Sequence, residues 1–115
     1  MTIIEEFLKA FENFEIGTEI TTSEIKRIVS SKFGRNPDSV IPTDFCYNRV
    51  NDGIDLKEHL KIFEYLERGK FKYLGKNYPY TGKIYHKPKG SSEICIGEYK
   101  EGIFEKIPSD NSYSE

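Results

Sequence analysis

The sequence predicts an α+β domain, and three observations carry that expectation. Two apolar stripes at helical spacing occupy the first third of the chain. After residue 60 the pattern changes to short runs of alternating aromatic and charged residues, punctuated by glycines. The length of 115 residues leaves room for one domain around one core. Hydrophobic residues make up 37% and aromatics 14%, so Phe, Tyr, Ile and Leu must supply that core. A charged fraction of 31% and a mean hydropathy of -0.61 predict a water-facing surface. No apolar run approaches the roughly 18 residues of a membrane span. The start, Met1 to Glu6, lacks the basic and apolar stretches of a signal peptide, so the expected setting is the cytoplasm. Residues 1–108 are expected to form the domain and 109–115 a flexible polar tail.

The elements follow in chain order. Ile4, Phe7, Leu8, Phe11 and Phe14 form the apolar face of a first helix, and Gly17 suits its end. Thr18-Glu19-Ile20-Thr21 favours a short strand. Thr21-Thr22-Ser23-Glu24 matches a capping box, in which a hydroxyl and a carboxylate three residues on satisfy each other's orphan amides. Ile25, Ile28, Val29 and Phe33 then face the core, and Gly34 stops this second helix. Asn36 can cap a new turn opened by Pro37. Pro42 separates that turn from a third helix, expected from about Thr43 to Val50 and ended by Asn51-Asp52-Gly53. Strands over Ile62–Leu66 and Lys70–Leu74 flank Glu67-Arg68-Gly69 as a hairpin. Lys76–Gly82 reads as an aromatic loop, and Lys83–His86, Glu93–Ile96 and Ile103-Phe104 as further strands. Three helices, a short strand after the first, then a basic hairpin is the element order of a winged helix, whose third helix enters the major groove.

The net charge of -2 conceals a segregation. From Lys26 to Lys89 there are 14 Lys+Arg against 7 Asp+Glu, and elsewhere 3 against 12. A basic centre between acidic ends suits a phosphate-binding face. On the expected third helix, Asp44, Tyr47, Asn48 and Asn51 fall on one side, with Thr43 and Arg49 beside them. Asn can pair bidentately with adenine, and Arg with guanine. Arg68, Lys70, Lys72 and Lys76 interleave with aromatics including Tyr78 and Tyr80, a pattern suited to phosphate contact and base stacking. Phe71 and Tyr73 are assigned to the core instead. These residues make duplex DNA the expected partner of a non-enzymatic module. The second expectation is a small protein-binding inhibitor or adaptor of a host or defence complex, with a phage as one source, using the acidic first helix and tail.

Four segments carry a resemblance: Gly17-Thr18-Glu19-Ile20-Thr21, Phe33-Gly34-Arg35-Asn36-Pro37, Ser39 to Asn48 (Ser-Val-Ile-Pro-Thr-Asp-Phe-Cys-Tyr-Asn) and Lys76-Asn77-Tyr78-Pro79-Tyr80-Thr81-Gly82. Across roughly residues 4–90 the chain resembles small winged-helix-like domains of bacterial and phage proteins, also found beside nuclease domains of restriction systems. The resemblance implies DNA binding through Thr43–Asn51 and the hairpin.

Other chemistries are weaker. Pro37-Asp38 with Asp55-Leu56-Lys57 matches the pattern of a metal-dependent nuclease, in which two acids hold Mg²⁺ and a lysine assists the attacking water. Glu24-Ile25-Lys26 and Glu98-Tyr99-Lys100 match its second half equally well, so the pattern discriminates little. Cys46, His59, His86 and Cys95 are zinc-competent types but lack the close pairing of structural sites. The two cysteines are expected as packed thiols. No cofactor is expected.

Overall fold

A computed structural model describes residues 2–51, 59–86, 90 and 92–106. Helix α1 (Ile3–Ala10) is opened by a capping box between Thr2 and Glu5. Helix α2 (Thr22–Phe33) is opened by the box expected at Thr21 and Glu24, and ended by Gly34 in the left-handed conformation at φ 68°. Asn36 caps a single 3-10 turn over Pro37–Ser39, its side chain accepting from the Asp38 amide. A second 3-10 turn spans Pro42–Phe45.

The strands are β1 (Glu19–Thr21), β2 (Arg49–Val50), β3 (Phe63–Glu67), β4 (Lys70–Tyr73), β5 (Gly82–His86), β6 (Ile94–Lys100) and β7 (Ile103–Lys106). They form a three-stranded sheet of order β1-β4-β3 and a four-stranded sheet of order β2-β5-β6-β7. All pairings are antiparallel except β2 with β5.

This arrangement overturns the winged-helix expectation of three N-terminal helices followed by a hairpin. The described residues hold two α-helices and two sheets, and no third helix forms over Thr43–Val50. Beyond the 3-10 turn the chain is extended: Cys46 sits at φ -103°, ψ 145° and makes a parallel bridge to Phe63. Two forces oppose the helix. Thr, Asp, Phe, Cys, Tyr, Asn and Val all lie in the weaker half of the helix-propensity ranking. The open edge of β3 also offers backbone partners: Ile62 N–H donates to Phe45 O at 2.9 Å, and Tyr47 N–H to Phe63 O at 2.8 Å.

Segment 45–50 is therefore a strap joining the sheets. It runs beside β3, then crosses to pair Arg49 and Val50 with Tyr85 and His86. Asn48 marks the crossing. Its side-chain amide donates to Tyr65 O at 2.9 Å and accepts from Tyr65 N–H at 2.8 Å, while its own carbonyl accepts from Tyr85 N–H at 3.0 Å.

Each sheet has its own core. Phe7, Phe11, Ile25, Val29, Phe63 and Phe71 anchor the first, between the helices and the β1-β4-β3 sheet. Tyr47, Val50, Leu74, Tyr80, Ile84 and Tyr99 form the second, against the four-stranded sheet. Among the described residues no helix is long and apolar enough to cross a membrane. Asp55 and Lys57 of the nuclease pattern, and the 109–115 tail, lie outside the described residues.

Candidate functional site

The residues expected to read DNA sit mostly inside the protein's own bonding. Asn51 donates to Thr43 Oγ1 at 2.8 Å and to Asp44 Oδ1 at 2.6 Å. Asn48 is engaged by Tyr65, as above. Tyr47 is 5% exposed and stacks on Tyr80 at 5.3 Å between centroids. The Arg49 guanidinium lies 4.3 Å from the centroid of the Tyr65 ring and pairs with Glu93. Arg68 is exposed at the hairpin turn and Lys76 in the following loop. Lys70 sits 3.4 Å from Glu19, and Lys72 lies in register between Glu19 and Glu64.

Folding thus re-mixes the segregated charges. Glu6, Glu19 and Glu93, from the acidic ends, pair with Arg35, Lys70 and Arg49 of the basic centre. Pairing of opposite charges across neighbouring strands is the ordinary use of such residues on a solvated sheet.

Geometry instead singles out the aromatic loop between β4 and β5. Its backbone turns through left-handed residues Gly75 (φ 84°) and Asn77 (φ 60°), conformations that suit those two residue types. Tyr47 fixes it: the phenol donates to Gly75 O at 2.6 Å and accepts from Tyr78 N–H at 3.0 Å. Tyr80 fixes it again by donating to Glu64 at 3.0 Å. The β6–β7 turn closes over the loop, with Glu101 N–H donating to Thr81 Oγ1 at 2.9 Å and Gly102 N–H to Tyr80 O at 2.8 Å.

Beside this pinned loop lies a groove of about 750 Å³. Ile4 and Leu8 of α1 line it, as do Ile103 and Phe104 of β7. Tyr47, Tyr78 and Tyr99 add aromatic surface, and His59, Lys61, Lys76 and Glu101 polar groups. Burial raises the phenol pKa of Tyr47 and Tyr99, so both remain neutral donors. Burial, aided by the nearby Lys61 charge, lowers that of His59, which favours its neutral form. The groove therefore offers apolar surface, neutral hydrogen-bonding groups and lysine charge.

Of the residues expected to contact DNA, Tyr47, Lys76 and Tyr78 line this groove. Ile4, Leu8, His59, Leu60, Lys61, Tyr99, Ile103 and Phe104 were missed. One signal was present. The first helix carries Ile3, Ile4, Phe7, Leu8 and Phe11, a stripe wider than its core needs. Phe7 and Phe11 are fully buried, whereas Ile4 and Leu8 stay partly open. The four zinc-competent residues do not assemble either. Cys46 is buried with its thiol on Pro42 O, and its pKa is pushed far up by burial. Among the described residues no group of three or more His, Cys, Asp or Glu is placed to hold a metal.

Residues 2–106 match the family model described as a domain of unknown function, DUF7225. The chain is also 44% identical over 104 residues to the uncharacterized protein YnaC of Bacillus subtilis (strain 168), covering 90% of this chain. It spans 38% of that relative's length. No solved structure matches it significantly. The chain belongs to the DUF7225 domain family.

Proposed function

We propose that the domain is a non-enzymatic recognition module for a protein partner, holding a peptide segment in the groove between α1 and β7. The observation that carries this reading is the groove's construction: its lining includes Ile4, packed on the first core, and Phe104, packed on the second, together with part of a doubly pinned aromatic loop. Rigid aromatic anchors beside exposed aliphatic side chains are what peptide-binding surfaces use. Ile103, at 68% exposure, extends the apolar lining onto the open surface. Duplex DNA is the competing ligand, and Arg68 and Lys76 are among the exposed cations that would serve it.

The test is selection of twelve-residue peptides by display on the intact protein, beside a titration with duplex DNA at low salt. Enriched peptides whose binding is lost in Leu8→Asp and Phe104→Ser, both checked for folding, support the reading. Tight, salt-sensitive duplex binding that survives those substitutions, or no enriched peptide, overturns it.

A further inference from the structure

We infer that Asn48 is a positioning residue for the groove: it lies outside the lining, yet it fixes where Tyr47 stands and so the shape of the aromatic loop that meets the occupant. This rests on the protein-binding reading above and names the joint that controls the site.

The ladder geometry at the crossing carries the inference. Cys46 bridges Phe63 in parallel, and Tyr47 N–H donates to Phe63 O at 2.8 Å. In a parallel ladder a bonded residue reaches the two residues flanking its opposite number. The next bonds would therefore take Tyr65 N–H to the Tyr47 carbonyl and Tyr65 O to the Arg49 amide. Both Tyr65 groups go instead to the Asn48 side chain, at 2.8 Å and 2.9 Å. A carboxamide carries the donor and the acceptor of a peptide group. Asn48 thus continues the ladder with its side chain while its backbone turns to β5, where its carbonyl accepts from Tyr85 N–H at 3.0 Å. One residue holds both sheets. Aspartate lacks the donor for this role, and alanine lacks both groups.

The effect reaches the groove through Tyr47. Its own amide is tied to Phe63 and the next residue to Tyr65, so its ring leaves a backbone fixed on both sides. That ring stacks on Tyr80, and its phenol holds Gly75 O at 2.6 Å and Tyr78 N–H at 3.0 Å. Glu64 holds the Tyr80 phenol, so three successive β3 residues seat Tyr47, Tyr80 and Asn48. Tyr47 and Tyr78 line the groove, and Asn48 does not. A displacement of about 0.5 Å takes the Tyr78 bond to the end of the hydrogen-bond range, so a loosened crossing releases the loop.

Two measurements on the full chain, both well below its melting temperature, test the inference. Asn48→Ala is compared with Val29→Ala, a change in the first core outside the strap and the groove lining. The first measurement is amide exchange without ligand: Tyr78 N–H exchanges faster in Asn48→Ala than in Val29→Ala, although both variants are destabilised. The second is affinity for the tightest display-selected peptide, which falls roughly three- to tenfold in Asn48→Ala, about the effect of one hydrogen bond, and stays unchanged in Val29→Ala. In a Tyr47→Phe background, Asn48→Ala weakens the peptide little further, because the phenol through which it acts is already gone. If Asn48→Ala fails to fold, Asn48→Asp, which keeps the shape and removes the donor, takes its place. If both fail, the wild type decides: unprotected Asn48 side-chain amide protons overturn the joint, and protected ones that exchange in step with Tyr78 N–H support it. Equal Tyr78 exchange in the two alanine variants overturns the inference, as do additive losses with Tyr47→Phe. Faster Tyr78 exchange with unchanged peptide affinity overturns it too, and leaves the protein-binding reading standing. Failure to select any groove-dependent peptide removes both.

Discussion

The two cores solve the same packing problem with different residues. The first is phenylalanine-rich: Phe7 stacks on Phe45 at 3.9 Å, and Phe63 meets Phe7, Phe11, Phe71 and Tyr73 within 6.4 Å. The second is tyrosine-rich, with Tyr47, Tyr80 and Tyr99 in mutual ring contact. A phenylalanine core is held by burial and dispersion and accepts small shifts in register. A tyrosine core adds phenols that need partners at fixed positions, so it specifies the backbone it bonds. Here Tyr47 and Tyr80 spend their hydroxyls on the loop that lines the groove. The first core thus rests chiefly on burial, and the second adds positional control.

The largest effect expected from this contrast is Phe63→Ala. The ring is fully buried at the centre of the first core, and its loss should cost about 3–5 kcal/mol. Urea unfolding would measure this; a loss below about 1 kcal/mol would deny Phe63 its central place. In the second core, Gly97→Ala should cost about 1–3 kcal/mol by overpacking. An added Cβ would lie 2.8 Å from Phe104 Cε1 and 2.9 Å from the Glu105 carbonyl, and that backbone cannot easily yield. Tyr47→Phe should be less damaging to packing but strand the Gly75 carbonyl and the Tyr78 amide, costing about 1–2 kcal/mol. Its distinguishing sign is local: hydrogen exchange should rise in residues 75–80 more than in either helix.

Much of the first lobe was legible because its signals are local. The capping box at Thr21, the left-handed stop at Gly34 and the turn at Gly69 each decide a boundary with residues a few positions apart. The four-stranded sheet was legible only as separate strands. β2 is two residues long, and its pairing with β5 joins segments over thirty residues apart. The error at 43–51 has the same origin. Asp44, Tyr47, Asn48 and Asn51 have helical spacing, but β3 supplies backbone partners that sequence spacing cannot display. Asn48 illustrates the cost for the site. Its amide suits an adenine edge, and the fold spends it on the backbone of Tyr65. Asn48→Ala should therefore loosen the joint between the sheets, at about 1–2 kcal/mol, and its measured signature is thermal destabilisation.

Extremes of pH should separate the two lobes with smaller effects. Glu5, Glu6 and Glu24 have pKa values held below the ordinary carboxylate range, and all three belong to the helices of the first lobe. Bonds from Thr2 and Thr21 lower Glu5 and Glu24, and the Arg35 side chain lowers Glu6. A carboxyl with a lowered folded pKa contributes stability above its unfolded value and loses it as pH falls through the folded one. Tyr47, Tyr80 and Tyr99 are shifted upward, chiefly by burial, with Glu64 adding to Tyr80. A phenol with a raised folded pKa contributes stability below its unfolded value and loses it as pH rises through the folded one. Acid should therefore loosen the helices first; in alkali three raised phenols act on the groove and its sheet against one, Tyr73, in the first core, so the groove should loosen first. Amide spectra recorded from pH 3 to pH 11 would follow each lobe separately. Glu6→Gln should leave alkaline behaviour unchanged and flatten the acid limb, since the variant has no carboxylate to protonate beside Arg35. The acid effect should be modest because the capping carboxylates are exposed and solvent screens them. Simultaneous loss of both lobes at each extreme would mean that the strap through Asn48 couples them into one cooperative unit, and the contrast between the cores would then be one of composition alone.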